Sequence, residues 1–207
     1  MSTETMTNKQ ARFGARTIAQ VGMLAALGAI LMYFEIPLPF APSFYEIDFS
    51  EVPVMIGTFT MGPVAGIAIE VVKILLKVIL KGTLTMGVGD IANILIGCAL
   101  CVPAGIVYRK THTRRGALVG MVTGTVFMTV VGCFLNAFIL LPAYATAFEM
   151  PIDKLIAMGT AVNGSITNLS SFVILAVAPF NLLKGVLVSL IVFLIYKKIS
   201  PILKMNR

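Results

Sequence analysis

Apolar runs separated by short polar segments dominate the chain, and they predict a bundle of membrane-spanning helices. A helix crosses a bilayer with about 20 predominantly apolar residues. Five runs are close to that length or longer, at residues 17–34, 63–80, 88–108, 117–141 and 180–196. A further apolar run, 52–61, would extend only about 15 Å as a helix, which is half of a membrane. The pattern therefore predicts an all-α, polytopic membrane protein with six transmembrane helices, of which the second is short.

The composition excludes the water-soluble alternatives. Of the 207 residues, 58% are hydrophobic and 12% are charged, and the mean hydropathy is +0.96. Soluble domains carry about 25% charged residues, and disordered chains are far less apolar than this one. At about 20 residues per span, the chain has room for six or seven crossings and for no sizeable soluble domain.

The basic residues orient the predicted bundle in the membrane. The net charge is +7, and eleven of the 16 Lys and Arg residues form three clusters beside apolar runs. The clusters are Lys9, Arg12 and Arg16; Arg109, Lys110, Arg114 and Arg115; and Lys197, Lys198, Lys204 and Arg207. Six crossings place all three clusters on one side, which the positive-inside rule identifies as the cytoplasmic side. Both termini are therefore expected to be cytoplasmic.

This topology predicts three parts of a multi-pass protein of the bacterial plasma membrane. Residues 1–16 form a cytoplasmic tail, residues 17–200 a single six-helix membrane domain, and residues 201–207 a second cytoplasmic tail. Membrane lipid surrounds such a domain, and no soluble basic face remains to follow the phosphates of a nucleic acid. A seventh crossing by residues 155–178 stays open as an alternative, and it would place the C-terminal lysines outside.

Two segments interrupt the apolar pattern. Residues 35–49 contain three prolines and several acids among aromatic side chains, which forbids a continuous helix and predicts an ordered loop. Residues 142–179 are mixed in polarity, and we expect a short outer helix there. Pro142 and Tyr144 are predicted to end the fifth span.

Polar side chains inside the spans are costly in lipid, so they usually face a cavity or a partner. Asn181 and Lys184 share one face of the last helix, Asn136 lies deep in the fifth span, and Asp90 and Asn93 share a face at the start of the fourth. Simpler interpretations remain: Lys184 can extend to the membrane surface, Asn136 can bond a neighbouring helix, and Asp90 can complement a helix dipole.

These polar residues all map towards the outer half of the bundle, beneath the loop of residues 35–49. The polar candidates are Asp48, Asp90, Asn93, Asn136, Tyr144, Asn181 and Lys184, and the loop adds the aromatic residues Phe40, Phe44, Tyr45 and Phe49. An apolar pocket with a few placed polar groups suits a small organic ligand, and the aromatic side chains suit a flat ring. Amide and ammonium donors suit hydroxyls and ring carbonyls better than a polyanion.

Several other patterns are assigned to packing. On the third span Lys73, Lys77 and Lys81 form a charged stripe with Glu70; Lys73 is expected to pair with Glu70 or face the bundle interior, and the other two lysines can extend outward. Gly116, Gly120 and Gly124 form a close-packing ladder. Gly22 with Ala26 forms a small-residue face on the first helix, for which docking to another membrane subunit is an alternative to packing, and Ala25 with Ala29 forms a second such face.

No catalytic or metal site is predicted. Cys98 and Cys101 form a C-x-x-C inside an apolar helix without a second pair, and they and Cys133 are assigned to packing. The single histidine, His112, lies in a basic loop. The sequence contains no G-x-x-x-x-G-K-[ST] phosphate loop, so any ATP hydrolysis is expected from partner subunits.

Four runs resemble a known family. YEIDFSEVPVMIGTFTMGPVAG (45–66), VGDIANILIG (88–97), FLNAFILLPAY (134–144) and APFNLLKG (178–185) are similar to the riboflavin-specific S components, the substrate-binding subunits of energy-coupling factor (ECF) vitamin transporters. The resemblance covers roughly residues 16–200. It implies six helices, a riboflavin site near the outer face under the first loop, and no cofactor or catalysis of its own.

The resemblance also implies partners and residue roles. The partners are a membrane-embedded coupling subunit and two ATP-binding-cassette ATPases. The ligand-contacting asparagine of the fifth helix matches Asn136, and those of the PFN-x-x-K-G motif match Asn181 and Lys184. The A-x-x-x-A coupling face of the first helix matches Gly22 and Ala26, with glycine in place of the first alanine. An S component for another vitamin, a stand-alone secondary transporter and, more remotely, a membrane enzyme remain as alternatives.

Overall fold

A computed structural model describes residues 14–38, 42, 45–83 and 86–205. Seven helices account for most of this part of the chain. They are α1 (Ala15–Leu31), α2 (Glu51–Met61), α3 (Pro63–Lys81), α4 (Val88–Thr111), α5 (Arg114–Leu135, a π-helical segment Asn136–Leu140, and Leu141–Ala147), α6 (Ile152–Val162) and α7 (Leu169–Phe172, a π-helical segment Val173–Val177, and Ala178–Met205). The predicted helical character is confirmed.

Three helical stretches are long and apolar enough to cross a membrane: Val88–Thr111, Arg114–Ala147 and Leu169–Ile195. The helix α1 is also apolar but has 17 residues. The helix α3 has 19 residues and carries the predicted charged stripe. The predicted tails lie partly outside the described residues, which begin at Gly14 and end at Met205.

Two helix boundaries differ from the sequence prediction. The helix α5 continues through Pro142 and Tyr144 to Ala147, and α7 starts at Leu169 instead of near residue 180. Proline lacks an N–H and its ring collides with the carbonyl four residues earlier, which normally ends a helix. A wider π-helical segment precedes both Pro142 and Pro179, and it accommodates each ring so that the helix continues.

The short helix predicted between the fifth and the last span is present as α6. Residues 163–168, which follow it, are not helical. Residues 155–178 therefore do not form the continuous crossing that remained as an alternative.

The loop after α1 contains a small β-hairpin, which corrects the all-α prediction. Strand β1 (Ile36–Pro37) pairs antiparallel with β2 (Glu46–Ile47), with Ile36 opposite Ile47. The loop is ordered, as predicted. It sets Tyr45 and Asp48 against the helices, because both residues are buried.

Close approach of α4 and α5 explains the glycine ladder. A Cβ added at Gly124 would lie 2.4 Å from the carbonyl oxygen of Leu100, and one at Gly120 would lie 2.7 Å from that of Ala104. Cβ atoms do not approach backbone oxygens so closely. The packing interpretation of Gly120 and Gly124 is therefore confirmed.

The opposite ends of the bundle differ in charge. At one end, a Cβ at Gly62 would lie 3.3 Å from the Arg109 guanidinium, and the Arg114 guanidinium lies 4.5 Å from the centre of the Phe193 ring. Asp90, in the first turn of α4, lies at the other end. Because α4 rises about 1.5 Å per residue, Asp90 and Arg109 are separated by roughly 28 Å along it.

We predict that Gly124→Ala destabilises the protein. The methyl group meets the Leu100 carbonyl, and overpacking of this kind costs about 1–3 kcal/mol, more than the gain of about 0.5–1 kcal/mol in helix propensity. Thermal unfolding in detergent micelles measures the effect. Gly22→Ala is the matched control, because no atom lies within 4 Å of a Cβ there. A Gly124→Ala protein as stable as Gly22→Ala would contradict the close packing.

Candidate functional site

A cavity of about 190 Å³ lies between the β-hairpin and the ends of α3, α4, α5 and α7. Its lining includes eight of the nine residues predicted to bind the substrate: Tyr45, Asp48, Asp90, Asn93, Asn136, Tyr144, Asn181 and Lys184. The structure thus brings together side chains from five separate segments. Apolar lining comes from residues such as Leu140 and Phe180.

The ninth residue, Phe49, is not in the lining. It packs against the hydrophobic core that contains Val52 and Met55. Phe40 and Phe44, which were also predicted to face a flat ligand, lie outside the described residues. The aromatic surface of the cavity therefore comes from other residues, and Tyr45 and Phe180 have ring centres 4.9 Å apart.

Asn136 is held at the start of the π-helical segment of α5. Its Nδ2 donates to the Gly132 carbonyl at 2.8 Å, and its Oδ1 accepts from the Tyr45 hydroxyl at 2.7 Å. The second bond joins the loop to the helix across 91 positions of sequence. The simple interpretation of Asn136 as a link between segments is thus correct, while its side chain also borders the cavity.

Asn181 leaves one hydrogen-bond acceptor unused. Its Nδ2 donates to the Val177 carbonyl at 2.9 Å, whereas its buried Oδ1 has no partner among the described residues. A Cβ at Gly132 would lie 2.9 Å from the Asn181 amide, so the glycine leaves the space that this side chain needs. A buried acceptor without a donor is costly, and here it borders a cavity that a ligand can fill.

Lys184 points inward, to Asp48. Its Nζ lies 3.0 Å from Asp48 Oδ2, and the two residues are 6% and 4% exposed. The other oxygen, Asp48 Oδ1, accepts from the Ser50 backbone N–H at 2.7 Å. The interpretation of Lys184 as a side chain that reaches the membrane surface is therefore wrong.

The ion pair controls the ionisation of Asp48. Burial opposes ionisation, but the ammonium groups of Lys184 and Lys73, with the hydrogen bond from Ser50, hold the pKa of the Asp48 carboxyl below its usual range. Since the folded-state pKa lies below the unfolded one, the pair contributes stability above the ordinary carboxyl pKa of about 3.9. That contribution is lost only as the pH falls through the folded-state value.

Two further ion pairs line the cavity towards the end of α3. Lys77 Nζ lies 2.7 Å from Asp90 Oδ1, and Lys81 pairs with Glu35. Asp90 Oδ2 is buried and has no hydrogen-bond partner in the described part of the chain. Partial burial and the neighbouring Glu35 carboxylate raise the pKa of Glu46, which also lines the cavity.

Sequence reasoning missed part of this lining. It assigned Lys77 and Lys81 outward and did not select Glu35, Glu46 or Phe180. Phe180 and Lys184 are four residues apart on one helix, so the spacing that joined Asn181 to Lys184 could also have identified Phe180. Asp90 does lie in the first turn of α4, but its ion pair with Lys77 makes it more than a partner of the helix dipole.

A fully buried ion-pair cluster lies beside the cavity. Lys73 Nζ contacts Glu70 at 2.7 Å, Glu51 at 2.9 Å and the Ser50 hydroxyl at 3.1 Å. The prediction that Lys73 pairs with Glu70 inside the bundle is confirmed. Gly28 and Gly97 make room for this cluster, because a Cβ at either would lie within 3 Å of the Lys73 or Glu70 side chain.

Comparisons with known proteins identify the class. The family model "ECF transporter, substrate-specific component" matches residues 16–196. The chain is 31% identical to "Riboflavin transporter FmnP" of Bacillus subtilis (strain 168), over 93% of this chain and 96% of that protein. It is 32% identical to "Riboflavin transporter RibU" of Staphylococcus aureus (strain TCH60), over 91% and 93%.

A solved structure agrees with these matches. The chain described as "Structure and mechanism of the S component of a bacterial ECF transporter" superposes with a TM-score of 0.70 at 31% identity, and covers 91% of this chain and 98% of that one. The protein therefore belongs to the substrate-specific components (S components) of ECF transporters, and the family resemblance found in the sequence is confirmed.

We predict that Lys184→Met destabilises the unliganded protein at neutral pH. Removal of the ammonium leaves the Asp48 carboxylate buried without its nearest partner, which costs about 3 kcal/mol or more. Equilibrium unfolding in detergent at pH 7–8 measures the loss, since the pair is fully developed there. Adding Asp48→Asn should restore most of it, and Lys198→Met, at an exposed position, serves as the control. If the single and double variants lost equal stability, the ion pair would not be the cause.

Proposed function

We propose that this S component binds riboflavin and presents it for ATP-driven uptake. Support comes from the relatives, which carry the name riboflavin transporter and align over most of this chain. The cavity residues of the sequence prediction are proposed as the site: Tyr45, Asp48, Asp90, Asn93, Asn136, Tyr144, Asn181 and Lys184. Phe49 takes an indirect role, because it packs behind the loop that carries Asp48.

One observation carries the proposal: two buried acceptors border the same cavity and have no donor. They are Asn181 Oδ1 and Asp90 Oδ2. A ligand that fills the cavity must bring hydrogen-bond donors to both, because an unmade bond to a buried acceptor lowers affinity. Riboflavin carries an N–H on its ring and hydroxyls on its ribityl chain, and it is uncharged at neutral pH.

The cavity divides into parts that suit the two halves of riboflavin. The Tyr45 and Phe180 rings lie near the amides of Asn136 and Asn181, an environment suited to the flat ring and its polar edge. The ion pairs of Lys77 and Lys81 lie towards the end of α3, where charged groups can bond the ribityl hydroxyls.

The same proposal includes the membrane topology. Residues 17–200 form one domain that crosses the plasma membrane six times through α1–α5 and α7, and α2 is its short span. Residues 1–16 and 201–207 are cytoplasmic tails. This orientation is favoured because Arg109 and Arg114 lie at the end of the bundle opposite Asp90 and the cavity, as the positive-inside rule requires for an outward-facing site.

The energy for uptake comes from partner proteins in this proposal. A membrane-embedded coupling subunit would dock on α1, and two ATP-binding-cassette ATPases would hydrolyse ATP, so the S component binds its ligand without catalysis. Gly22 and Ala26 are exposed, and no atom lies within 4 Å of a Cβ at Gly22. Ala25 and Ala29 are buried, so the two small-residue faces of α1 serve different neighbours.

We predict that the purified protein quenches riboflavin fluorescence with saturable binding, and that thiamine, folate and biotin do not compete. Asn181→Ala should weaken riboflavin binding by roughly threefold to tenfold, the loss of one hydrogen bond. Asn163→Ala, outside the cavity, is the matched control. Absence of quenching at micromolar riboflavin would contradict the function, whereas unchanged affinity of Asn181→Ala would remove that residue from the site.

We predict that Ala26→Leu impairs uptake while riboflavin binding is retained. The larger side chain prevents close approach of a second helix to the small-residue face. Co-purification with the coupling subunit and riboflavin uptake by cells measure the effect. Ala157→Leu makes the same change at an exposed position of α6 and should leave both unchanged. Normal complex formation by Ala26→Leu would exclude this face as the coupling surface.

A further inference from the structure

Every lysine that lines the cavity is already paired with a carboxylate. Lys77 contacts Asp90 at 2.7 Å, Lys184 contacts Asp48 at 3.0 Å, and Lys81 pairs with Glu35. Glu46 adds a fourth carboxylate to the lining. Three ammonium groups therefore face four carboxylates. The described lining offers a ligand no unpaired cation, and its charge is balanced towards the negative side.

This balance disfavours an anionic ligand. A phosphate monoester carries close to two negative charges at neutral pH, and proteins bind it with free arginine or lysine side chains or with backbone N–H groups. Here its approach would require an ion pair to separate, and it would meet an excess of carboxylate. Repulsive groups of this kind produce specificity by weakening the binding of the wrong ligand.

Asp90 occupies the position where the cavity would otherwise attract an anion. It lies in the first turn of α4, and the N-terminus of a helix attracts negative charge through its N–H groups and its dipole. The Asp90 carboxylate neutralises that end and also engages Lys77. Its second oxygen, Oδ2, is buried without a partner and can accept from a hydroxyl but not from an ionised phosphate.

We propose that Asp90, through its ion pair with Lys77, is a specificity-determining residue that makes the cavity select riboflavin over its 5′-phosphate ester. The inference rests on the proposed riboflavin function. It assigns to one carboxylate both the acceptance of a hydroxyl from the uncharged ligand and the rejection of the phosphorylated one.

The test is a pair of titrations on the full-length protein in detergent, with riboflavin and with riboflavin 5′-phosphate, for wild type and Asp90→Asn. The wild type should bind riboflavin more tightly than the ester. In Asp90→Asn, the released Lys77 should raise affinity for the ester by on the order of tenfold or more. Affinity for riboflavin should change by less than about threefold, because asparagine retains an acceptor.

Asp153→Asn is the matched control. It removes the same charge from an exposed position on α6, and it should leave the ratio of the two affinities unchanged. Glu35→Gln is a second variant, which keeps the test decisive if Asp90→Asn does not fold. The Lys81–Glu35 pair is partly exposed, and its loss should shift the ratio in the same direction by a smaller factor.

The outcomes separate this inference from the function on which it rests. A wild-type protein that does not bind riboflavin contradicts the proposed function. A wild-type protein that binds riboflavin and its phosphate ester equally well leaves that function intact and overturns the role of Asp90. An unchanged ratio in Asp90→Asn, or in Glu35→Gln where the first variant does not fold, overturns it as well.

Discussion

The structure depends on the neutralisation of lysines inside an apolar bundle. An unpaired ammonium in such surroundings is expensive, and pairing makes it tolerable only when the geometry is good. Lys73 is 0% exposed and touches two carboxylates and a hydroxyl, and Lys184 is 6% exposed and touches Asp48. Each lysine of the interior is thus matched by an acid from another segment, and the pairs hold those segments together.

These pairs also explain where the cavity lies. The Asp48–Lys184 pair and the Tyr45–Asn136 hydrogen bond fasten the loop after α1 to α7 and α5. The loop therefore covers the ends of the helices without filling the space between them. Polar groups that serve as fasteners on one side present the remaining acceptors, Asn181 Oδ1 and Asp90 Oδ2, to the cavity on the other. Structural cost and ligand recognition are carried by the same residues.

Local sequence rules predicted contacts within a helix well and contacts between segments less well. The spacing of Glu70 and Lys73 on one helix indicated their pair, and the ladder of Gly120 and Gly124 indicated close packing. The partner of Lys184 is 136 positions away, and no periodicity encodes such a pairing. Asp48 and Lys184 were both selected for the site, but their mutual contact could be found only in three dimensions.

The helix boundaries failed for a different physical reason. Pro142 and the mixed polarity before residue 180 indicated the end of one helix and a late start of another, because proline usually interrupts the backbone hydrogen bonds. The π-helical segments at Asn136–Leu140 and Val173–Val177 accommodate the prolines, and single-residue propensities do not encode such wide turns. Asn136 stands at the beginning of the first segment, so this irregularity borders the site.

The most direct measurement of the central claim is an experimental structure of the protein with riboflavin bound. The account predicts the flavin ring beside Tyr45 and Phe180, with ligand donors within hydrogen-bond distance of Asn181 Oδ1 and Asp90 Oδ2. Riboflavin bound elsewhere, or bound with both acceptors turned away from it, would contradict the view that these buried polar groups are tolerated because together they enclose one guest molecule.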